Sequence, residues 1–247
     1  KWPTYFSKSK GCKVWDLDNN SYVDMSLMGV GTNILGYSNS EVDNVVKKVI
    51  KKGNLTTLNC PEEVFLAEKL LDIHPWAEKV KFARTGGEAN AIAIRIARAA
   101  SGRKNVAFCG YHGWHDWYLA ANLKNKNSLN SHLLPGLKTN GVPKELKNTA
   151  YPFNYNSVKD LKKIINQNSD LKIIVLEGAR KTIISDEMSK YLNNLQKNKN
   201  FIIIVDEITS GLRTSLSGAF SISKTKPNIV VYGKGLGNGF AINAIIG

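Results

Sequence analysis

The sequence predicts an α/β fold in which helices cover both faces of a mostly parallel sheet. The predicted strands are continuous apolar runs, which is typical of strands buried on both faces. They alternate with helical patterns, and this alternation favours right-handed crossover connections. Glycine, lysine and acidic residues follow several strand ends. Because ligands bind beyond the carboxyl ends of such strands, that edge of the sheet is the expected site.

Composition limits the classes of protein that fit. The 247-residue chain is 43% hydrophobic, which excludes a disordered chain. Its formal net charge is +14, but the lysines are scattered. We therefore expect a solvated basic surface and no nucleic-acid partner, with nucleic-acid binding as the less favoured alternative. Three cysteines without CxxC spacing fit reduced thiols in a cytoplasmic protein. The apolar runs are too short to span a membrane.

The N-terminal part predicts a hairpin and a helix. Residues 13–24 contain two short apolar runs around an Asp-Asn-Asn turn, which is typical of a hairpin. Residues 25–37 are rich in glycine and predict a loop over a pocket. The following helix is expected to be capped by Ser40 and to end at Gly53. We expect residues 1–55 to form this hairpin and helix segment.

Strands and helices alternate through the rest of the chain. Pro61 begins a helix, and further helices are expected at residues 88–100, after Ser157 and at residues 186–196. Residues 122–151 have no clear period and predict a long loop. The predicted strands are residues 80–83, 106–109, 173–176, 201–205, 229–232 and 244–246.

Residues after two of the predicted strands are suited to a ligand that has a phosphate group and a planar ring. Gly86 and Gly87 follow the first strand at the start of a helix, where free N–H groups and the helix dipole attract phosphate. A plain strand-to-helix turn explains these glycines equally well. Tyr111 follows the second strand, and an aromatic ring there can stack on a planar ligand.

Two further strand ends carry ionisable groups. Asp206 follows a buried strand, where a carboxylate is costly unless it has partners, so it is a functional candidate. Glu207 points the opposite way along the strand and is expected to bind a structural partner. Lys234 lies among glycines after another strand. Burial there would lower its pKa and produce a nucleophilic amine, although an incidental lysine in a glycine-rich turn is the alternative.

Other polar and aromatic residues near the ends of these strands are interpreted as structural. His112 and His115 have a spacing that can bind metal on a helix, but the chain has four histidines and no CxxC, so no metal site is expected. Trp114 and Trp117 are expected to pack in the core. Glu177 and Arg180 are interpreted as a surface ion pair, so that they are not candidates for the site.

Together, the phosphate cradle, the aromatic plate, the carboxylate and the lysine match the needs of pyridoxal phosphate. In the order of these motifs the sequence resembles the class III aminotransferases of the fold type I pyridoxal-phosphate enzymes, especially the glutamate-1-semialdehyde aminomutase branch. The matching segments are Thr85-Gly-Gly-Glu-Ala-Asn90, Tyr111-His-Gly113, Asp206-Glu-Ile-Thr-Ser-Gly-Leu-Arg213 and Gly233-Lys-Gly-Leu-Gly-Asn-Gly239.

The resemblance implies a role for each matched residue. Lys234 would form the Schiff base with the cofactor and later move the proton, and Asp206 would pair with the pyridinium nitrogen. The two catalytic residues are therefore Lys234 and Asp206. The cofactor-binding set, with Ile208 and Tyr111 on the two ring faces and the glycines at the phosphate, is Gly86, Gly87, Tyr111, His112, Asp206, Ile208 and Lys234.

The resemblance also implies an activity: amino-group transfer by an aminotransferase or aminomutase that works as a homodimer on an amine donor and a carbonyl acceptor. The alternative is a catalytically inactive relative with a structural or assembly role. Residues 56–247 would form an incomplete large domain, with the C-terminal small domain absent. Two departures concern Gly87, where the family often has threonine, and Gly178, where it usually has proline.

Overall fold

A seven-stranded sheet forms the centre of the protein, and a separate three-stranded sheet lies near the N-terminus. The computed structural model describes residues 4–53, 55–132 and 135–247. The strands are β1 Phe6–Lys10, β2 Lys13–Asp16, β3 Ser21–Val23, β4 Val80–Ala83, β5 Asn105–Cys109, β6 Ala150–Pro152, β7 Leu171–Glu177, β8 Ile202–Asp206, β9 Ile229–Tyr232 and β10 Asn243–Ile246.

The helices of the large sheet lie in the connections between its strands. In the described ranges the α-helices are, in chain order, α1 Met28–Gly31, α2 Ser40–Lys52, α3 Pro61–Ile73, α4 Gly86–Ser101, α5 Asp116–Leu119, α6 Val158–Gln167, α7 Asp186–Lys199 and α8 Ala219–Ile222. This alternation confirms the predicted α/β class.

The large sheet has the strand order β4-β10-β9-β8-β7-β5-β6. Neighbouring strands pair in parallel from β9 to β6, whereas β10 is antiparallel to both β4 and β9. The reversal follows from a short connection, residues 233–242, because a parallel return needs a crossover of about a dozen residues or more. The prediction of a mostly parallel sheet is confirmed. The carboxyl ends of six strands therefore meet at one edge.

Both faces of the large sheet are buried. Alternate residues of β5 belong to two different apolar clusters: Ala107 and Cys109 pack in the cluster that contains residues of α6 and α7, whereas Val106 and Phe108 pack with residues of α4 and α5. Burial on both faces explains why the strands read as continuous apolar runs instead of alternating ones.

Helix α4 presents small side chains to the sheet. Ala89, Ala93 and Ala97 are fully buried, and their small size lets the helix backbone approach the strands closely. At the first turn, Thr85 and Glu88 form a capping box, in which each side chain accepts a hydrogen bond from the other residue's backbone N–H. The helix ends at Gly102 in the left-handed conformation. These features fix the start of α4 beside the end of β4.

The N-terminal segment packs against loops that follow the large sheet. One side-chain nitrogen of Arg213 donates to the carbonyl of Gly31 at 2.6 Å, and the Leu35 N–H donates to Asn238 at 2.8 Å. The predicted hairpin is part of a three-stranded sheet, β1-β2-β3. The prediction that Ser40 caps α2 is wrong. Asn39 is the cap, because its side chain accepts from two N–H groups of the first turn.

The segment predicted as one long loop, residues 122–151, contains some regular structure. Short 3₁₀ helices occur at Ala120–Leu123 and Lys144–Leu146, and its end contributes to β6. Strand β6 was missed because it has three residues and includes Pro152, which is tolerated at the sheet edge where β6 lies. Within the described ranges, the helices are all too short or too polar to cross a membrane.

The turn after β7 depends on Gly178. Its N–H donates to the Asp206 carbonyl oxygen at 2.9 Å, a bond that proline, the residue usual in the resembling family, cannot make. A side chain at this position would overlap the carboxylate of Glu207. That carboxylate is buried and accepts from the Phe220 N–H at 2.8 Å, so it has little freedom to move. Glycine at position 178 therefore permits this junction between β7 and β8.

We predict that Gly178→Ala lowers the free energy of unfolding by about 1–3 kcal/mol, because the added methyl group overpacks a fixed carboxylate. Gly178→Pro should cost more, since it also removes the N–H donor. Urea denaturation followed by circular dichroism measures both. Lys190→Ala, at an exposed position of α7, is the control and should change stability by less than about 0.5 kcal/mol. An alanine variant as stable as this control would contradict the packing described here.

Candidate active site

A cavity of about 520 Å³ opens at the carboxyl edge of the large sheet. All seven residues of the predicted cofactor-binding set line it: Gly86, Gly87, Tyr111, His112, Asp206, Ile208 and Lys234. They lie at or after the ends of β4, β5, β8 and β9, so the parallel arrangement brings together residues that are far apart in sequence. An adjoining cavity of about 590 Å³ shares Trp114 and His115 with this one, but its walls contain none of the seven.

Asp206 is the buried anion of the cavity, with 4% of its surface exposed. One carboxylate oxygen accepts from the Asn90 amide at 2.8 Å and contacts His112 Nδ1 at 2.8 Å. The other oxygen accepts from the Ile208 N–H at 2.9 Å. These three partners offset the cost of burying the charge, because a carboxylate is stabilised in the interior only when donors surround it.

His112 lies between two hydrogen-bond acceptors. Its Nε2 is 3.0 Å from the carbonyl oxygen of Cys109, and its Nδ1 faces Asp206. A neutral imidazole has one N–H, so donation to both acceptors requires the protonated ring. Burial opposes this charge, but the hydrogen bond and negative charge of Asp206, together with the charge of Glu177 and the Cys109 carbonyl, outweigh it and raise the pKa of His112 above its usual value. His112 and Asp206 therefore form a buried ion pair.

Asn90 is a site residue that the sequence reasoning quoted within a motif but did not select. It is buried on the otherwise apolar face of α4 that contains Ala89 and Ala93, and its side chain reaches Asp206. A polar side chain on a predicted buried face was the signal that could have identified it. The Asn90 Oδ1 atom is buried and finds no hydrogen-bond partner among the described residues.

Lys234 begins the turn after β9 and lies in the cavity wall. Its backbone has φ of 46°, a left-handed conformation that is uncommon for residues with a side chain. The amine donates to Thr209 Oγ1 at 2.7 Å. Burial lowers the pKa of Lys234 below its usual value, and the charge of Asp206 partly opposes that shift. Thr209 was not singled out by the sequence reasoning, although it stands three residues after Asp206.

Gly86 and Gly87 form the first turn of α4, and both line the cavity. The first N–H groups of a helix have no intrahelical acceptor. Here the capping box uses the Glu88 N–H, and the Gly86 and Gly87 N–H groups stand before it at the positive end of the helix dipole. A Cβ on Gly86 would lie 2.9 Å from Ile208 Cδ1, so glycine permits this close packing.

Tyr111 and Ile208 line the cavity on the loops after β5 and β8. The Tyr111 ring packs edge-on against Tyr118, with 5.9 Å between ring centroids. The expectation for Trp114 is wrong, because 69% of its surface is exposed and it lies in the cavity wall. The loop carries it past the end of β5, beyond the sheet core. Trp117 is buried as expected.

Two acidic residues near the cavity have structural contacts. The Glu177 side chain is 12% exposed and lies 3.6 Å from Arg180, so the interpretation as a surface pair is wrong. Burial raises the pKa of Glu177, with His112 opposing the shift. Glu207 points to the face opposite Asp206 and binds Ser210 and the Phe220 N–H, so the interpretation of Glu207 as a structural residue is supported.

The sequence has many relatives among characterised proteins. A 3-aminobutyryl-CoA aminotransferase of Cloacimonas acidaminovorans is 33% identical over 255 residues, covering 100% of this chain and 57% of that protein. A glutamate-1-semialdehyde 2,1-aminomutase of Methanocaldococcus jannaschii is 33% identical over 253 residues, covering 100% and 58%. This chain therefore spans less than two thirds of the length of these relatives.

Solved structures share the fold. A transaminase with PLP bound matches with a TM-score of 0.87 at 25% identity, over 100% of this chain and 58% of that one. An omega-transaminase from Sphaerobacter thermophilus matches with a TM-score of 0.86 at 23% identity, over 100% and 57%. The sequence model of the family described as class-III aminotransferase matches residues 1–247. The chain belongs to the class III aminotransferase family.

Proposed function

We propose that this protein transfers amino groups with pyridoxal phosphate, which it holds covalently through Lys234. The observation that carries the proposal is one cavity that joins a helix N-terminus, a buried carboxylate and a lysine whose pKa burial lowers. When bound, the cofactor supplies an electron sink for a substrate carbon that loses a proton. The relatives named as aminotransferase and aminomutase support the same class of chemistry.

The residues present fit the parts of the cofactor. The N–H groups of Gly86 and Gly87 would bind the phosphate, since the helix start is an anion site without side chains in the way. Asp206 would bind the protonated ring nitrogen. Tyr111 and Ile208 would contact the two faces of the ring, and His112 would act through Asp206. Each of these roles is part of the proposal.

Asp206 is suited to its proposed role because its charge is preserved in a buried place. The Asn90 amide, the Ile208 N–H and the protonated His112 ring all favour the anionic carboxylate. An anion at this point favours a proton on the cofactor nitrogen, and that proton strengthens the withdrawal of electrons. Asn90 and His112 thus hold Asp206 in position.

Lys234 is suited to bond formation and to proton transfer at its Nζ atom. The lowered pKa increases the fraction of neutral amine, which is the nucleophilic form. Thr209 orients that amine through its hydroxyl group. Once a substrate amine has displaced it, the Lys234 amine would be free to accept a proton from the substrate carbon and to return one.

Substrate and assembly belong to the proposal as well. An aminotransferase would use an amine donor and a separate carbonyl acceptor, whereas an aminomutase would act on one substrate. The named relatives include both kinds. We further propose a homodimer in the cytoplasm, and a division into a hairpin and helix segment at residues 1–55 and a cofactor-binding domain at residues 56–247.

We predict that added pyridoxal phosphate gives a visible absorbance band, and that borohydride reduction then leaves a pyridoxyl group on Lys234. Peptide mass spectrometry locates the group. Lys234→Ala should show neither the band nor the label, whereas Lys197→Ala, at an exposed position of α7, should behave like the parent. The reason is that the Lys234 amine combines a pKa lowered by burial with a neighbouring helix start that we propose as the phosphate site.

An unlabelled parent chain that is folded by circular dichroism would contradict the proposed function. Labelling at Lys234 without transfer of an amino group to any tested carbonyl acceptor, or within glutamate-1-semialdehyde, would instead favour the inactive relative with a structural role. Amino transfer is measured by the conversion between the aldehyde and amine forms of the bound cofactor.

We predict that His112 stays protonated above pH 6.5 in the parent, because Asp206 raises its pKa, and that Asp206→Asn reverses the direction of the shift. Without the carboxylate, burial remains the largest influence and lowers the pKa of His112 against the smaller opposing effects of the Glu177 charge and the Cys109 carbonyl. NMR titration of the His112 ring measures this, with His112→Gln used to assign the signal. A His112 pKa that is unchanged by Asp206→Asn would contradict the buried ion pair.

The raised pKa also sets the pH dependence of stability. Below the unfolded-state pKa of about 6.5, the stabilisation from protonated His112 is fully present, and it is lost as the pH rises through the higher pKa of the folded chain. The difference in unfolding free energy between the parent and Asp206→Asn should therefore be larger at pH 6 than at pH 9. Urea denaturation at the two pH values measures it, and a constant difference would contradict the linkage.

A further inference from the structure

We propose that His115 is an additional phosphate-binding residue of this cavity, and that Gly87 is the residue that makes room for it. The inference rests on the proposed function, since the phosphate is that of pyridoxal phosphate. It starts from a close approach: a Cβ built on Gly87 would lie 2.7 Å from His115 Cδ2 and 2.9 Å from His115 Nε2. The imidazole therefore occupies the volume that a side chain at position 87 would fill.

The backbone on both sides holds His115 in this place. Its carbonyl accepts from the N–H groups of Tyr118 and Leu119 at 2.9 and 3.1 Å, because His115 is the N-cap residue directly before α5. Two residues earlier, Gly113 has φ of 89°, and a Cβ there would lie 2.7 Å from the Cα of Gly87. The segment from Gly113 to His115 thus packs directly on the first turn of α4.

The position and the chemistry of His115 suit an anion. His115 lines the same cavity as Gly86 and Gly87, and its ring closely approaches Gly87. An imidazole N–H that points towards a phosphate oxygen adds a directed donor to the backbone donors, and a protonated ring adds positive charge. Arg84 lines the cavity near the same helix start. The neighbouring Glu88 carboxylate is occupied, since it accepts from the Arg84 and Thr85 N–H groups.

Gly87 and His115 therefore act together in binding phosphate: the glycine leaves space beside the helix start, and the imidazole in that space provides the donor. With glycine at position 87 the helix start has no hydroxyl donor there, and the space released is filled by a donor from the loop after β5. A hydroxyl at position 87 and an imidazole at position 115 would compete for the same volume. This exclusion provides a direct test.

We predict that His115→Ala weakens binding of pyridoxal phosphate about tenfold, which corresponds to one hydrogen bond to a charged group. Binding of pyridoxal, which lacks the phosphate, should change by less than about twofold. The apparent dissociation constants come from titrations of the absorbance band, and ³¹P NMR of the bound phosphate should show a shifted resonance in the variant. Asp116→Asn, at an exposed neighbour that does not line this cavity, is the control for local disturbance.

A reciprocal exchange separates phosphate binding from a packing role. Gly87→Ser alone should weaken binding of pyridoxal phosphate, because the new side chain collides with the His115 ring. The double variant Gly87→Ser with His115→Ala should recover most of the lost affinity, since the serine hydroxyl then has space and replaces the lost donor. Circular dichroism of each variant checks that it is folded.

The outcomes distinguish this inference from the proposed function. If the folded parent binds neither pyridoxal phosphate nor pyridoxal, the proposed function fails and the inference fails with it. If the parent binds the cofactor but His115→Ala binds it equally well, the inference alone is overturned. Equal weakening for pyridoxal phosphate and pyridoxal, or no recovery in the folded double variant, would show that His115 only packs against α4 and would also overturn it.

Discussion

The buried charge of Asp206 is the constraint on which the rest of the site depends. A carboxylate in the interior requires donors on several sides. Its donors come from three separate elements: Asn90 from α4, His112 from the loop after β5, and the Ile208 N–H from its own loop. Satisfying one charge therefore fixes the positions of α4, β5 and β8 relative to one another. Those same elements provide the phosphate and ring contacts that we propose.

A second constraint is the direction of the strands. Six strands of the large sheet end at one edge, so short segments that follow them share a cavity. Strand β10 runs the other way, and for this reason its beginning lies at that edge. Asn243, its first residue, lines the cavity and donates to the Arg84 carbonyl at 2.8 Å. The reversal thus adds Asn243 to the cavity wall. A search of the carboxyl ends of strands could not select this residue, because it lies at the beginning of a strand.

The sequence was sufficient to predict the fold class and to select seven residues that line one cavity, and the reason is that buried strands and the residues directly after them are local features. Lys234 and Asp206 could be selected because each follows a continuous apolar run. Asn90 and Thr209 could not be ranked in the same way, since their importance comes from contacts with Asp206 and Lys234. Trp114 was wrongly predicted to be buried, because the type of a side chain does not determine whether its loop turns away from the core. The contact between Gly87 and His115 depends on a close approach of the start of α4 and the loop after β5, which has no signature in either segment alone.

The left-handed backbone of Lys234 makes a side chain at position 234 costly in folding stability. With φ of 46°, position 234 is one at which glycine would be accommodated more easily than any residue with a Cβ, by roughly 1–2 kcal/mol. The chain therefore holds the side chain that we propose as reactive at a point where the fold alone would favour having none. A search for more stable variants that scores only the folded backbone would favour glycine there and would discard the reactive amine. Stability and reactivity make opposite demands on this single residue.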